Sequence, residues 1–160
     1  MDLISFPDES RVWIFQSNRV IPDAKLNEAH HLISRFAKEW TSHQRDLKST
    51  GSILHNRFVV LVVDETQKDA SGCSIDSAMR FIQDLGKHYD VDFLDRMRFT
   101  YIKDDTLYTV PKSEMSDLYA TGLIDGDTLV YDNLVSNKKD FLDKWVVPLS
   151  NSWIKRLIAN

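Results

Sequence analysis

Phe58-Val-Val-Leu-Val-Val63, closed by Asp64-Glu65, constrains the fold of this chain more than any other stretch. Side chains alternate between the two faces of a strand, so a run without a polar member is apolar on both. Such a strand is expected at the centre of its sheet. Ser52-Ile-Leu-His55 reads as a short strand joined to it by a tight turn. Arg11–Gln16, rich in β-branched and aromatic residues, reads as a first strand.

Two helices are predicted around these strands. The first opens at Pro22-Asp23, with apolar positions Leu26, Ala29, Ile33, Phe36/Ala37 and Trp40 at three- and four-residue spacing. The second runs from about Ser74 to His88 along Ile75, Ala78/Met79, Ile82, Leu85 and Tyr89, with Ser74 as the expected N-cap and Asp76 complementing the helix dipole. Arg98–Lys103 and Thr106–Val110 alternate like a hairpin across Asp104-Asp105. Pro111 opens a short helix ending near Gly122. A last strand is expected at Asp127–Tyr131, then a helix over about Asn137–Trp145 and an amphipathic segment at Ser152–Ile158.

The order β-α-β-β-α-β-β points to an α+β two-layer sandwich, a ferredoxin-like, mainly antiparallel sheet with helices on one face. The alternative is a small parallel α/β sheet. No repeat or composition shift divides the 160 residues, so one domain over 1–160 is expected, with a tail from about 145 to 160 packed on it by Trp145 and Trp153 or serving as a homo-oligomer contact.

Charge and cysteine content exclude several classes. Residues 61–160 carry seventeen Asp/Glu against twelve Lys/Arg, and no basic run exceeds two residues, so nucleic acid is not an expected partner. No apolar run approaches the roughly 20 residues of a membrane span. The amino terminus does not read as a signal peptide, and a single cysteine cannot form an intrachain disulfide. The expected compartment is the cytoplasm.

The strand-to-helix junction from Asp64 to Ser77 is the candidate site, because functional groups collect where a rigid scaffold presents a loop. It holds Asp64, Glu65, Ser71, Cys73, Ser74, Asp76 and Ser77. An apolar strand ending in acids looks like a Walker B strand, but no G-x-x-x-x-G-K-[ST] loop accompanies it, so ATPase activity is not expected. Ala70-Ser-Gly-Cys-Ser-Ile-Asp-Ser77, with Val62-Val-Asp-Glu65 and Asp92-Phe-Leu-Asp-Arg-Met97, resembles a family of small uncharacterised bacterial proteins sometimes labelled "ABC transporter ATPase". The resemblance extends to Arg11-Val-Trp13, Trp40-x-x-His43, Trp145 and Trp153, and it implies no defined activity.

Cys73 at a helix start could gain thiolate character from the dipole, against the opposing carboxylates nearby. The alternative is a small packing residue. As a nucleophile it would need a base, for which His43 and His55 are candidates, with Asp76 or Glu65 as acid/base. Trp40 and His43 would line a pocket rim, or else complete a core stripe and meet a helix C-terminus. Asp64-Glu65 could equally be a solvated strand end or pair with Arg57 or Arg80. No motif spacing calls for a metal or other cofactor.

The resulting expectation is a non-enzymatic α+β domain that binds a small molecule or a protein partner around residues 64–77, through Asp64, Glu65, Ser71, Ser74, Ser77 and Trp40. The alternative is a small thiol enzyme using Cys73, Asp76 and His43.

Overall fold

Arg11–Gln16 forms strand β1, and Leu26–Glu39 forms helix α1 after a single 3-10 turn at Asp23–Lys25. In this computed structural model, which describes residues 1–42, 45–66 and 69–159, two short strands follow, β2 (Thr41–Ser42) and β3 (Arg45–Asp46). Next come β4 (Lys48–Leu54) and β5 (Phe58–Asp64). His55 and Asn56 between them have φ of 52° and 60°, the left-handed pair whose twist suits a two-residue hairpin. Helix α2 spans Gly72–Tyr89.

The second half contributes β6 (Arg98–Lys103), β7 (Thr106–Pro111), α3 (Lys112–Ala120), β8 (Leu129–Tyr131), α4 (Lys138–Lys144), β9 (Val146–Pro148) and α5 (Ile154–Ile158). β8 is therefore not the last strand; Val146–Pro148 pairs antiparallel with it. Asp104 and Asp105, at φ of 52° and 60°, close the β6–β7 hairpin in the same way as His55-Asn56.

The three-stranded sheet has the order β1-β5-β4 and the four-stranded sheet β7-β6-β8-β9. Every ladder in them is antiparallel, which sets aside the parallel α/β alternative. The protein is α+β. β5 lies between β1 and β4, so the expectation of a central strand holds, and all seven of its residues are buried.

Alternation along β5 divides the core in two. Val59, Leu61 and Val63 face α1 and α2, packing with Ala29, Ile33, Ala78, Ile82 and Leu85. Phe58, Val60 and Val62 face the opposite way, against Tyr131, Phe141 and Trp145, with Ile102 and Leu107 of the second sheet alongside. The far face of that second sheet buries Phe99, Tyr101, Val110 and Val130 against Met115, Leu149, Ile154 and Ile158 from α3 and the C-terminal segment. The layers run helices, sheet, sheet, helices. Instead of two layers there are four, because the chain leaving α2 builds a second sheet over the face of β5 that a two-layer sandwich would leave to water. Among the described residues, no helix is long and apolar enough to cross a membrane.

Close packing of α1 on the first sheet depends on Gly51. A Cβ there would lie 2.7 Å from Leu61 Cδ2 and 2.9 Å from Ile33 Cγ2. Those atoms belong to a fully buried layer with little room to shift. Gly51→Ala is expected to lower stability by about 1–3 kcal/mol, read as a lower urea midpoint at unchanged m-value.

Candidate functional site

Among the described residues of the 64–77 junction, Asp64, Thr66, Ser71 and Ser74 are engaged in local hydrogen bonds. Asp64 Oδ1 accepts from Thr66 N at 3.0 Å and from Thr66 Oγ1 at 2.7 Å. Its other oxygen lies 3.5 Å from Lys48 Nζ. These contacts, the Thr66 hydroxyl foremost, then the Thr66 amide and Lys48, hold its carboxyl below the usual aspartate range against the opposing effect of burial. Glu65 pairs with Arg11 at 3.6 Å. Burial raises the Glu65 carboxyl, with Asp69 adding to the rise and Arg11 opposing it. The acids thus pair with Lys48 and Arg11, not with Arg57 or Arg80.

Ser71, rather than Ser74, is the N-cap of α2. Ser71 Oγ accepts from Ser74 N at 3.2 Å, while Ser74 Oγ accepts from Ser71 N, forming a reciprocal capping box. The Ser74 carbonyl accepts from Trp40 Nε1 at 2.9 Å. Trp40 is 2% exposed and packs against Trp13 and Phe36, with ring centroids 5.2 and 5.3 Å away. It is a core residue, and it locks the end of α1 to the start of α2.

Cys73 is exposed, so the packing role does not apply; Ser74 takes the buried position instead. Cys73, Asp76 and Ser77 share one face of α2 at i, i+3 and i+4. His43 lies outside the described residues. His55 is in the turn before β5, whereas Asp64 ends that strand, and a seven-residue strand spans about 20 Å. His55 is thereby too distant to serve the junction as a base. Among the described residues, no group of three His, Cys, Asp or Glu is placed to hold a metal ion.

A cavity opens elsewhere, at the edge of the space between the two sheets. Its volume is about 210 Å³, and its walls include Ile14, Leu94, Met97, Leu134 and Trp153. Met97 and Leu134 stand at its mouth, 50% and 59% exposed. Gln16, Tyr131 and Asn133 line it as well, and so do the charged residues Asp95, Arg96 and Arg98.

The floor is held by a connected set of hydrogen bonds. Gln16 Nε2 donates to the Arg98 carbonyl at 3.0 Å. Gln16 Oε1 accepts from Thr100 Oγ1 at 2.7 Å and from Asn133 Nδ2 at 3.3 Å. Asn133 Oδ1 accepts from Trp145 Nε1 at 2.9 Å. Thr100 has one hydroxyl proton and gives it to Gln16, so Thr109 donates to Thr100 across 2.7 Å and in turn accepts from Arg57 Nη1 at 3.0 Å. One chain of donors therefore crosses the inter-sheet layer from Arg57 to Gln16. Each side-chain amide carries two N–H groups, and one on Gln16 and one on Asn133 remain unused in these bonds.

No pattern along the chain marks this cavity. Gln16 ends a strand, Asn133 lies in a loop, and 117 positions separate them. Gln16 is nevertheless a polar residue closing an apolar strand, and it is 6% exposed. No family model, curated protein or solved structure matches the chain.

The junction and the Asp64 carboxyl each yield an expected outcome. Ser71→Ala removes the cap acceptor and should cost about 0.5–2 kcal/mol of stability, measured by urea unfolding. Because folding lowers the pKa of Asp64, its contribution is complete above the ordinary value of 3.8 and is lost as pH falls through the lowered folded value. Asp64→Asn should therefore cost stability near neutrality and flatten the acid limb of a urea-midpoint profile. A limb identical to that of the unsubstituted protein would refute the assignment.

Proposed function

We propose that this protein is a non-enzymatic α+β domain that binds a small, largely apolar molecule in the cavity between its two sheets. The observation that carries the reading is the cavity's composition: a mainly apolar lining with two hydrogen-bonded side-chain amides, Gln16 and Asn133, and with Asp95, Arg96 and Arg98 as its charged members. A void of about 150 Å³ lined by aliphatic and aromatic groups holds benzene, so about 210 Å³ suits a substituted ring. Small-molecule sites are concave and mostly apolar, with a few polar groups fixing orientation. The unused N–H groups on Gln16 and Asn133 favour a ligand whose head accepts hydrogen bonds, such as a carbonyl.

The reading moves the binding site away from residues 64–77, where Asp64, Ser71, Ser74 and Trp40 are committed to holding the fold together. It keeps the ligand-binding class and places the protein in the cytoplasm. Resemblance to the bacterial family carrying the Ser-Gly-Cys-Ser-Ile-Asp block is proposed alongside it. So is a ferredoxin-like origin for the first half, for which the split order β1-β5-β4 with both helices on one face gives support.

Acetophenone and ethylbenzene test the reading, since they share a ring and differ in a carbonyl. Titration of the native protein, followed by the side-chain amide signals of Gln16 and Asn133 and the indole signal of Trp153, should show saturable binding of both. Acetophenone should bind about fivefold more tightly, as one added hydrogen bond contributes. Leu134→Trp, placed at the exposed mouth, should weaken both by about tenfold or more. Absence of saturable shifts at those three residues would overturn the proposal.

A further inference from the structure

The hydrogen-bond chain that begins at the cavity ends on a cation that no acid among the described residues neutralises. Arg57 immediately precedes β5, beside the His55-Asn56 turn, and is only partly exposed. Its Nε donates to the His55 carbonyl at 3.0 Å, and its Nη1 to Thr109 Oγ1 at 3.0 Å and the Leu107 carbonyl at 3.4 Å. All three acceptors are neutral. Among the described residues no carboxylate pairs with Arg57, and both N–H groups on Nη2 are unused.

Two further polar side chains gather at the same end of the strand. The His55 ring lies 5.7 Å from that of Tyr131 and 6.1 Å from that of Trp145, and neither its ring nitrogens nor the Tyr131 hydroxyl has a hydrogen-bond partner among the described residues. His55 is exposed, Arg57 half-buried and Tyr131 buried, and desolvation acts on each of the three titratable groups. It lowers Arg57, with Tyr131 opposing; it raises Tyr131, with Arg57 opposing; and it lowers His55, with Arg57 adding to the effect. No carboxylate contributes to these shifts.

A partly buried charge is ordinarily paired, because desolvation without a counter-ion is costly. Guanidinium also presents its N–H groups in a planar fork that matches the oxygens of an oxyanion. We propose that Arg57, together with His55 and Tyr131, forms a binding site for a small oxyanion, a carboxylate or a phosphate group, at the β4–β5 turn. Arg57 supplies the charge through Nη2, and the Tyr131 hydroxyl and a His55 ring nitrogen complete the contacts. The fixed bonds from Nε and Nη1 hold the fork in place before the anion arrives, which limits the entropy lost on binding. The site does not depend on a ligand occupying the cavity; Tyr131 borders both, so Arg57 is the residue to follow.

The test titrates the native protein at constant ionic strength with inorganic phosphate in one arm and acetate in the other, using chloride as the control. The expected result is a saturable shift of the Arg57 Nε–Hε signal and the His55 ring signals, larger than with chloride, in at least one arm; the tighter arm identifies the anion. Arg57→Gln should weaken that binding about tenfold, as expected for loss of a charged donor. Tyr131→Phe should weaken it by a smaller factor. Arg57→Lys keeps the charge without the planar fork and should fall between the native protein and Arg57→Gln, which retains a test if the glutamine variant does not fold. Linear, chloride-like shifts in both arms would overturn the proposal, as would equal binding by the native protein and the folded Arg57 variants. Failure here leaves the acetophenone result untouched, so the two readings fail separately.

Discussion

Burial of β5 on both faces is the constraint from which the rest of the structure follows. Each of its large apolar side chains contributes about 1.5–3 kcal/mol when removed from water, and the strand presents three to each side. One layer of helices can satisfy only one of those sides. α1 and α2 cover Val59, Leu61 and Val63, so Phe58, Val60 and Val62 require a second cover. That cover combines Leu3 and Phe6 of the N-terminal segment, Phe141 and Trp145 of α4 and its end, and the four-stranded sheet through Tyr131, Ile102 and Leu107; the sheet has an apolar outer face of its own, covered by α3 and α5. Four layers follow from one strand with no polar face.

Stacking two sheets creates an interior in which polar side chains must find each other. Gln16, Thr100, Thr109 and Asn133 all come to that layer, and a continuous set of hydrogen bonds joins them. Such a network is stable only when its members are satisfied, which explains why every hydroxyl and carbonyl along it has a partner. Its two ends are different in character. At Gln16 and Asn133 it faces an apolar cavity with N–H groups to spare. At Arg57 it ends on a guanidinium with an unused fork. The proposed ligand and the proposed anion thus both adjoin one polar seam, which runs from Arg57 through Thr109 and Thr100 back to Gln16, with Tyr131 bordering each place.

The candidate junction at 64–77 shows how a sequence pattern can point to a site that the fold uses for anchoring. Acids after a strand, followed by a serine-rich helix start, have the composition of a functional loop. Here Asp64 is tied to Thr66 and Lys48, and Ser71 and Ser74 cap each other. Trp40 reaches across to the Ser74 carbonyl. Capping and catalysis draw on the same residue types because both need short polar side chains near free backbone N–H groups. Composition alone does not separate them; hydrogen-bond partners do. Cys73 illustrates the same limit: with Ser71 as the N-cap it falls within the first turn of α2, off the face that buries Ser74, Ala78 and Ile82, and is exposed.

Local structure was largely determined by the sequence itself. The places of β1, β5, the β6–β7 hairpin and α2 follow from apolar period, β-branched content and turn residues, which act over a few positions, although the cap of α2, Ser71, lies three residues before the expected Ser74. The two-faced apolar run at 58–63 also required a central strand. Only the tertiary structure decided what covers its second face, because the residues that do so, Leu3, Phe6, Tyr131, Phe141 and Trp145, come from segments far apart along the chain. The cavity and the Arg57 cluster arise from that choice. Gln16, Thr100, Thr109 and Asn133 carry no shared pattern along the chain, and they meet because two sheets, each shaped by its own hydrophobic alternation, pack face to face.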